Sequence, residues 1–195
     1  MSKEEEMERI ELEIKNCKKC ELWKTRNNPV IGEGTLNANI MFVGEAPGYN
    51  EDEQGKPFVG RAGKVFDELL AHIGLKREEI FITNVLKCRP PQNRNPLKNE
   101  IMACTPYLDR QISIIKPRAI ATLGNFALQY IFEKFGLKKE TIGAVHGKSF
   151  DVFNLTGVRK IIPMYHPATA TYNPETKNVL LKDFEVLKNI CRRDV

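Results

Sequence analysis

Short apolar runs alternate with amphipathic stretches along this chain. Ile40-Met41-Phe42-Val43 is apolar at four successive positions and stops at Gly44. Such a run predicts a strand covered on both faces. Ile80 to Leu86 repeats the pattern, Ala119 to Leu123 gives a third run before Gly124, and Lys160 to Tyr165 gives a fourth. Pro163 within the fourth predicts an edge or a bulge, because proline has no N–H for the ladder. Between the runs the spacing changes to that of helices. Glu4 to Asn16 sets Met7, Ile10, Leu12 and Ile14 among charges, and Val65 to Ile73 is a helical stripe ended by Gly74. Phe126 to Phe135 predicts a helix capped by Asn125. Leu97 to Ile115 predicts another, with a boundary or kink near Thr105 imposed by Pro106. Thr176 to Cys191 predicts the last, with Val179, Leu180, Phe184, Leu187 and Ile190 on its apolar side. Arg26 to Asn39 and the proline-rich Cys88 to Pro96 read as loops, and Val145 to Phe153 as an antiparallel or loop region around Gly147.

Strands alternating with helices predict an α/β fold, three layers deep, with a central and mainly parallel sheet of four strands. At 195 residues the chain suits one domain spanning 1–195. In such sheets ligands bind beyond the carboxyl ends of the strands. There the first strand runs into Gly44-Glu45, the second carries Asn84 and the fourth runs into His166-Pro167. A carboxylate, an amide and an imidazole are therefore expected at one edge of the sheet.

Composition narrows the classes. No apolar run reaches membrane-spanning length, and MSKEEEMERIELEIKN lacks the apolar core of a secretory signal, so a cytoplasmic protein is expected. The net charge of +5 permits an anionic partner without requiring one. Gly44-Glu45-Ala46-Pro47-Gly48 is neither a dinucleotide fingerprint nor a phosphate loop, which disfavours a nucleotide cofactor. The five cysteines are more telling. Disulfides are a poor explanation in a cytosolic chain. Cys17 and Cys20 form a C-x-x-C pair, with Cys88 and Cys104 further on, a set that suggests a metal or iron–sulfur site. The plainer alternative is that cysteines act as small buried hydrophobes. Cys191 reads as a packed or free thiol, and His72 and His146 as structural.

Together the strand-end groups describe a pocket for a flat, hydrogen-bonding ring. Phe58 offers a stacking face, Asn84 an amide that donates and accepts, and His166 a donor to an oxygen gaining negative charge. Enzymes that act on a base outside its stack use pockets of this kind. The motif order resembles the family 4 uracil-DNA glycosylases, which carry an iron–sulfur cluster. The matching segments are Cys17-x-x-Cys20, GEAPG at Gly44 to Gly48, GKPFVGRAG at Gly55 to Gly63, TNVLKCRPPQNRNP at Thr83 to Pro96, Cys104 and His166-Pro167.

The resemblance implies that Cys17, Cys20, Cys88 and Cys104 hold a 4Fe-4S cluster that ties the N-terminal segment to the Cys88–Cys104 region. It implies that Phe58 stacks on uracil, Asn84 reads its amide edge and His166 bonds O2 as the base leaves. Glu45 would lie near the sugar, the backbone of Glu45 and Ala46 would help hold the base, and Glu51 would exclude a thymine methyl. The chain departs from the related family 1 pattern, GQDPY, by placing Ala46 where that turn has Asp, so Glu45 is the expected water-orienting group. It also lacks a bulky apolar side chain immediately after His166-Pro167, where many relatives carry one that wedges into DNA. Lys87, Arg89, Arg94 and Lys98 suit contacts to DNA phosphates, the plainer alternative being a solvated basic loop. The implied partner is uracil-containing DNA, with a sliding clamp by analogy only, and the expected state is a monomer. Two other readings explain the cysteines. One is a non-catalytic nucleic-acid-binding module on a four-cysteine metal site, with zinc as a candidate; the other is an electron-transfer protein.

Overall fold

The computed structural model describes residues 1–191, for Cys191 the backbone only. Its centre is a six-stranded sheet: β1 (Glu33–Gly34), β2 (Ile40–Gly44), β3 (Phe81–Asn84), β4 (Ala119–Leu123), β5 (Phe150–Asp151) and β6 (Lys160–Met164). The order is β1-β3-β2-β4-β6-β5. The inner four are parallel and are those that the apolar runs predict. The expected four-stranded sheet is thus corrected to six, because β1 and β5 add antiparallel at the two edges. Each is two residues long, too short to leave a periodic trace. Pro163 lies on β6 past the end of β5, where no neighbour needs its missing N–H, and its carbonyl accepts from Gly147 N–H at 2.8 Å.

Both faces of the sheet are covered, which is why its strands are apolar throughout. Met41 and Val43 of β2 face a core shared with α1 (Lys3–Lys15) and α4 (Lys98–Ile115), together with α5 (Asn125–Lys134) and α6 (Ile142–Val145). Ile40 and Phe42 face the opposite core, beneath α3 (Arg61–His72), α7 (Pro174–Phe184) and α8 (Lys188–Cys191). In that second core the Phe42 ring meets Phe66 edge-on at 5.0 Å and stacks on Phe184 at 5.6 Å. Burying each such ring contributes about 1.5–3 kcal/mol. His146 and Asp183 join α6 to α7 at 2.8 Å, and His72 meets Glu185 at 3.1 Å.

Several boundaries differ from expectation for local reasons. The helix α4 runs through Pro106 without a break. The carbonyl that proline leaves without a partner belongs to exposed Met102, where water can serve it. Gly124, at φ +88°, takes the N-cap of α5; Asn125 is the first helical residue, and its Oδ1 instead accepts from Ile142 N–H at 3.1 Å. The final helix is split by a 3-10 turn at Glu185–Leu187. A short helix, α2 (Tyr49–Gln54), stands in the glycine-rich segment after β2, and the side chain of its Glu51 reaches back to Gly48 N–H. Among the described residues, no helix is long and apolar enough to cross a membrane.

Candidate active site

The chain leaves β2 for β3 on one side and returns for β4 on the other, which opens a crevice at the carboxyl end of β2. A pocket of about 390 Å³ lies there. Glu45 and Ala46 from the end of β2, Glu51 from α2, Phe58, Asn84 from β3 and His166 after β6 all line it. The expected convergence is therefore observed, across elements more than 100 residues apart in sequence. The register sets it: Gly44 pairs with Asn84 across adjacent strands. A Cβ at Gly44 would come within 2.4 Å of Asn84 Oδ1 and 2.9 Å of the Phe58 ring. Only hydrogen at that position lets the amide and the ring approach so closely.

Asn84 is 2% exposed, and its Oδ1 has no hydrogen-bond partner in the protein. Buried polar atoms are almost always satisfied, so an amide oxygen left open in a pocket marks where a ligand donor belongs. His166 Nδ1 accepts from Ala168 N–H at 3.1 Å, which leaves the ring proton on Nε2. Burial pulls the imidazole down to about 4, so it is neutral at physiological pH. Glu45 is half-buried, and desolvation raises its carboxyl above the usual range.

Phe58 is fixed more firmly than its sequence suggests. It holds a left-handed φ of +51°, a strained position for an aromatic residue that its surroundings must enforce. Arg77 donates to the carbonyls of Pro57 and Phe58, and a Cβ at Gly63 would strike the Phe58 carbonyl. Glu51 accepts from Gly48, Val59 and Gly60 N–H groups at 2.9–3.1 Å. Its carboxylate thus ties the β2 turn to the Phe58 loop while facing the pocket. The Phe58 ring stacks on His166 at 5.5 Å and 24°. Arg77 has no motif around it, and no signal in the sequence points to it. Glu51 had one, the Gly-x-x-Glu spacing of a capping reach-back.

The basic loop does not all face DNA. Lys87 is fully buried, a correction to its expected phosphate contact, and burial draws its ammonium down to about 8. Arg94 lines the pocket but is held by buried Glu100 through bonds of 2.9 and 2.6 Å. Arg89 lies over Tyr49 at 5.1 Å and bonds Asn93, while Lys98 is exposed.

Cys17 and Cys20 follow α1, Cys88 follows β3 and Cys104 lies on α4; all four are free thiols around one cavity. Donors point at their sulfurs, among them Arg26 to Cys88 Sγ at 3.0 Å and Lys87 N–H to Cys104 Sγ at 3.2 Å. Burial pushes Cys104 up to about 12 and raises Cys88 and Cys20. A bound cationic centre reverses that preference, because coordinated thiols ionise. Among the described residues, no three Cys, His, Asp or Glu side chains gather closely enough to hold one ion.

Comparison with known proteins places this geometry in a family. The model of the uracil DNA glycosylase superfamily matches residues 31–188. A type-4 uracil-DNA glycosylase from Saccharolobus solfataricus is 53% identical over 90% of this chain and 82% of its own. Those from Archaeoglobus fulgidus and Thermotoga maritima are 48% and 42% identical, over 96% and 99% of this chain and 94% and 98% of theirs. With relatives this similar along nearly its whole length, the chain belongs to the type-4 uracil-DNA glycosylases.

Proposed function

We propose that the protein hydrolyses the N-glycosidic bond of deoxyuridine in single- and double-stranded DNA and leaves an abasic site. The observation that carries this reading is the open, buried Oδ1 of Asn84 in the same pocket as a neutral His166 with its proton on Nε2. Uracil presents an N3–H donor between two carbonyl oxygens, which the Asn84 amide complements. Phe58 supplies the aromatic face and Ala46 lines the pocket beside it. As the bond from N1 to C1′ breaks, its electron pair moves onto the ring and charge builds on O2. His166 donates to that oxygen, an interaction stronger in the transition state than before it. The sugar becomes cationic, and the Glu45 carboxylate stabilises it and orients the water that adds to C1′. A non-catalytic metal-bound module or an electron carrier leaves both Asn84 and His166 without a task.

The four thiols fit an iron–sulfur group. Cys17, Cys20, Cys88 and Cys104 would hold a 4Fe-4S cluster, each thiolate on its own iron, which suits sulfurs spread around a cavity rather than drawn to one point. Bound there, the cluster supplies a cross-link between the segment after α1 and the loop that rims the pocket.

The test is cleavage of a labelled strand carrying one uracil, followed by alkali, beside a thymine control. Breakage at uracil alone is expected, with His166→Ala slower by about 10²–10³-fold in single turnover. Intact strands despite measurable DNA affinity would overturn the catalytic reading. An undiminished His166→Ala rate would overturn the role of the imidazole.

A further inference from the structure

Lys87 is a buried charge that the reaction does not use. Lys87 has no exposed surface, yet its Nζ lies 2.6 Å from Thr83 Oγ1, 2.8 Å from the Asn84 carbonyl and 2.7 Å from Gln111 Oε1. The Thr83 hydroxyl has acceptors of its own in the Ile31 carbonyl at 2.8 Å and Gln111 Oε1 at 3.3 Å. The other two partners are oxygens with nothing to donate, and Gln111 is held in that orientation by its Nε2 bond to Ile31 at 2.9 Å. All three contacts therefore take protons from Nζ, and only an ammonium has three to give.

Among the described residues, the hydrogen-bond partners of this cation include no carboxylate. Cys88 follows it in sequence, and Cys88 and Cys104 line the same cavity as Lys87. The lysine lines the cysteine cavity, and its backbone N–H donates to Cys104 Sγ. A buried ion is retained where an opposite charge compensates it. Four thiolates around an iron–sulfur core carry net negative charge, and no other compensating charge is supplied to Lys87. At its other end the same ammonium grips the carbonyl of Asn84, the residue whose side chain is open to the base.

We propose that Lys87 is the buried counter-cation of the four-cysteine group and, through its grip on the Asn84 carbonyl, a positioning residue for the base pocket. The proposal rests on the iron–sulfur reading. Outer partners of this kind set both retention and potential of a bound centre. A positive charge beside the cluster favours its reduced, more negative state, so removing that charge lowers the midpoint potential.

The experiment uses iron-loaded full-length protein and two variants, Lys87→Met and Gln111→Glu. The first removes the charge. The second keeps the side-chain shape and gives Lys87 a carboxylate of its own. Midpoint potential, iron release to a chelator and the KM-against-kcat split on uracil DNA are read together. Both variants are expected to lower the midpoint and to speed iron release by about 10–100-fold. In Lys87→Met, kcat falls more than KM rises, because the base reader rather than the DNA surface is disturbed. Folded, loaded variants with the wild-type midpoint and release rate would overturn the proposal. Should Lys87→Met fail to fold, Gln111→Glu decides alone. A wild-type protein that holds no iron and sulfide would overturn the cluster reading itself and this inference with it, a result distinct from a loaded protein indifferent to the charge.

Discussion

Burial moves the two titrating groups of the pocket in opposite directions. The His166 imidazole falls from 6.5 to about 4, while the Glu45 carboxyl rises above 4.5. Each shift favours the neutral form, as expected where water is displaced. The stability signs follow. The folded state binds fewer protons at His166 than the unfolded chain between about pH 6.5 and 4, so that contribution is present above 6.5 and lost as pH falls toward 4. Glu45 works the other way, since its raised carboxyl costs stability once ionised and recovers it on the acid side. On the proposed mechanism, the donor form of His166 persists through the physiological range, and the acid limb is assigned to Glu45. The kcat/KM profile on a uracil oligonucleotide should be flat near neutrality and fall on the acid side with an apparent pKa above the ordinary carboxylate range. Glu45→Gln should lower the plateau by about 10²–10⁴-fold and abolish that limb. A Gln variant with an unmoved limb would assign it to another group. These two residues were legible in the sequence because each directly follows an apolar run that could only be a buried strand. Lys87 was not, because a lysine beside Arg89 in a proline-rich loop looks solvated until α4 is packed over it and Gln111 meets it.

At the scale of elements, long-range apolar patterning was readable and short-range closure was not. The runs at 40, 80, 119 and 160 became β2, β3, β4 and β6 because each carries enough apolar side chains to be buried on two faces. The edge strands β1 and β5 owe their existence to neighbours already in place. The same holds for the segment from Gly48 to Gly60. Its sequence gives the Gly-x-x-Glu reach-back, but the second half of the Glu51 contact, to Val59 and Gly60, needs the chain to have turned at Gly55, which sits at φ +69°. Three N–H groups on one carboxylate make Glu51 a staple for the loop that presents Phe58. Glu51→Ala should therefore cost about 10²-fold in uracil excision, the scale of a 1 Å misplacement, with no activity gained on thymine. Paired uracil and thymine substrates separate the cases. Thymine excision by the variant would assign Glu51 to exclusion of the methyl, as the family resemblance implies, in place of the staple.

Across the whole molecule, the sheet with its two cores and the cysteine region are separable in what holds them. The aromatic core under α3 and α7 fixes the strands, whereas residues 16–27 and 87–97 have few apolar anchors and meet around the thiols. Arg26 illustrates the dependence: it bonds the Ile14 and Lys15 carbonyls at the end of α1 and reaches Cys88 Sγ. The loop it supports contributes Pro90, Asn93 and Arg94 to the rim of the pocket. Gln92 and Asn93, both at φ +55°, add local strain that the loop must have outside help to hold. On the proposed iron–sulfur reading, removing that group by oxidation and chelation should therefore release the rim before it releases the fold. Hydrogen exchange should rise across 16–27 and 87–97 while amides of β2, β4 and β6 keep their protection. Excision should then weaken through KM as the rim opens and through kcat as Lys87 loses its hold on the Asn84 carbonyl, although Asn84 stays on β3 and His166 follows β6. Loss of protection throughout the sheet would instead make the cluster part of global folding, as in small domains whose metal supplies their stability.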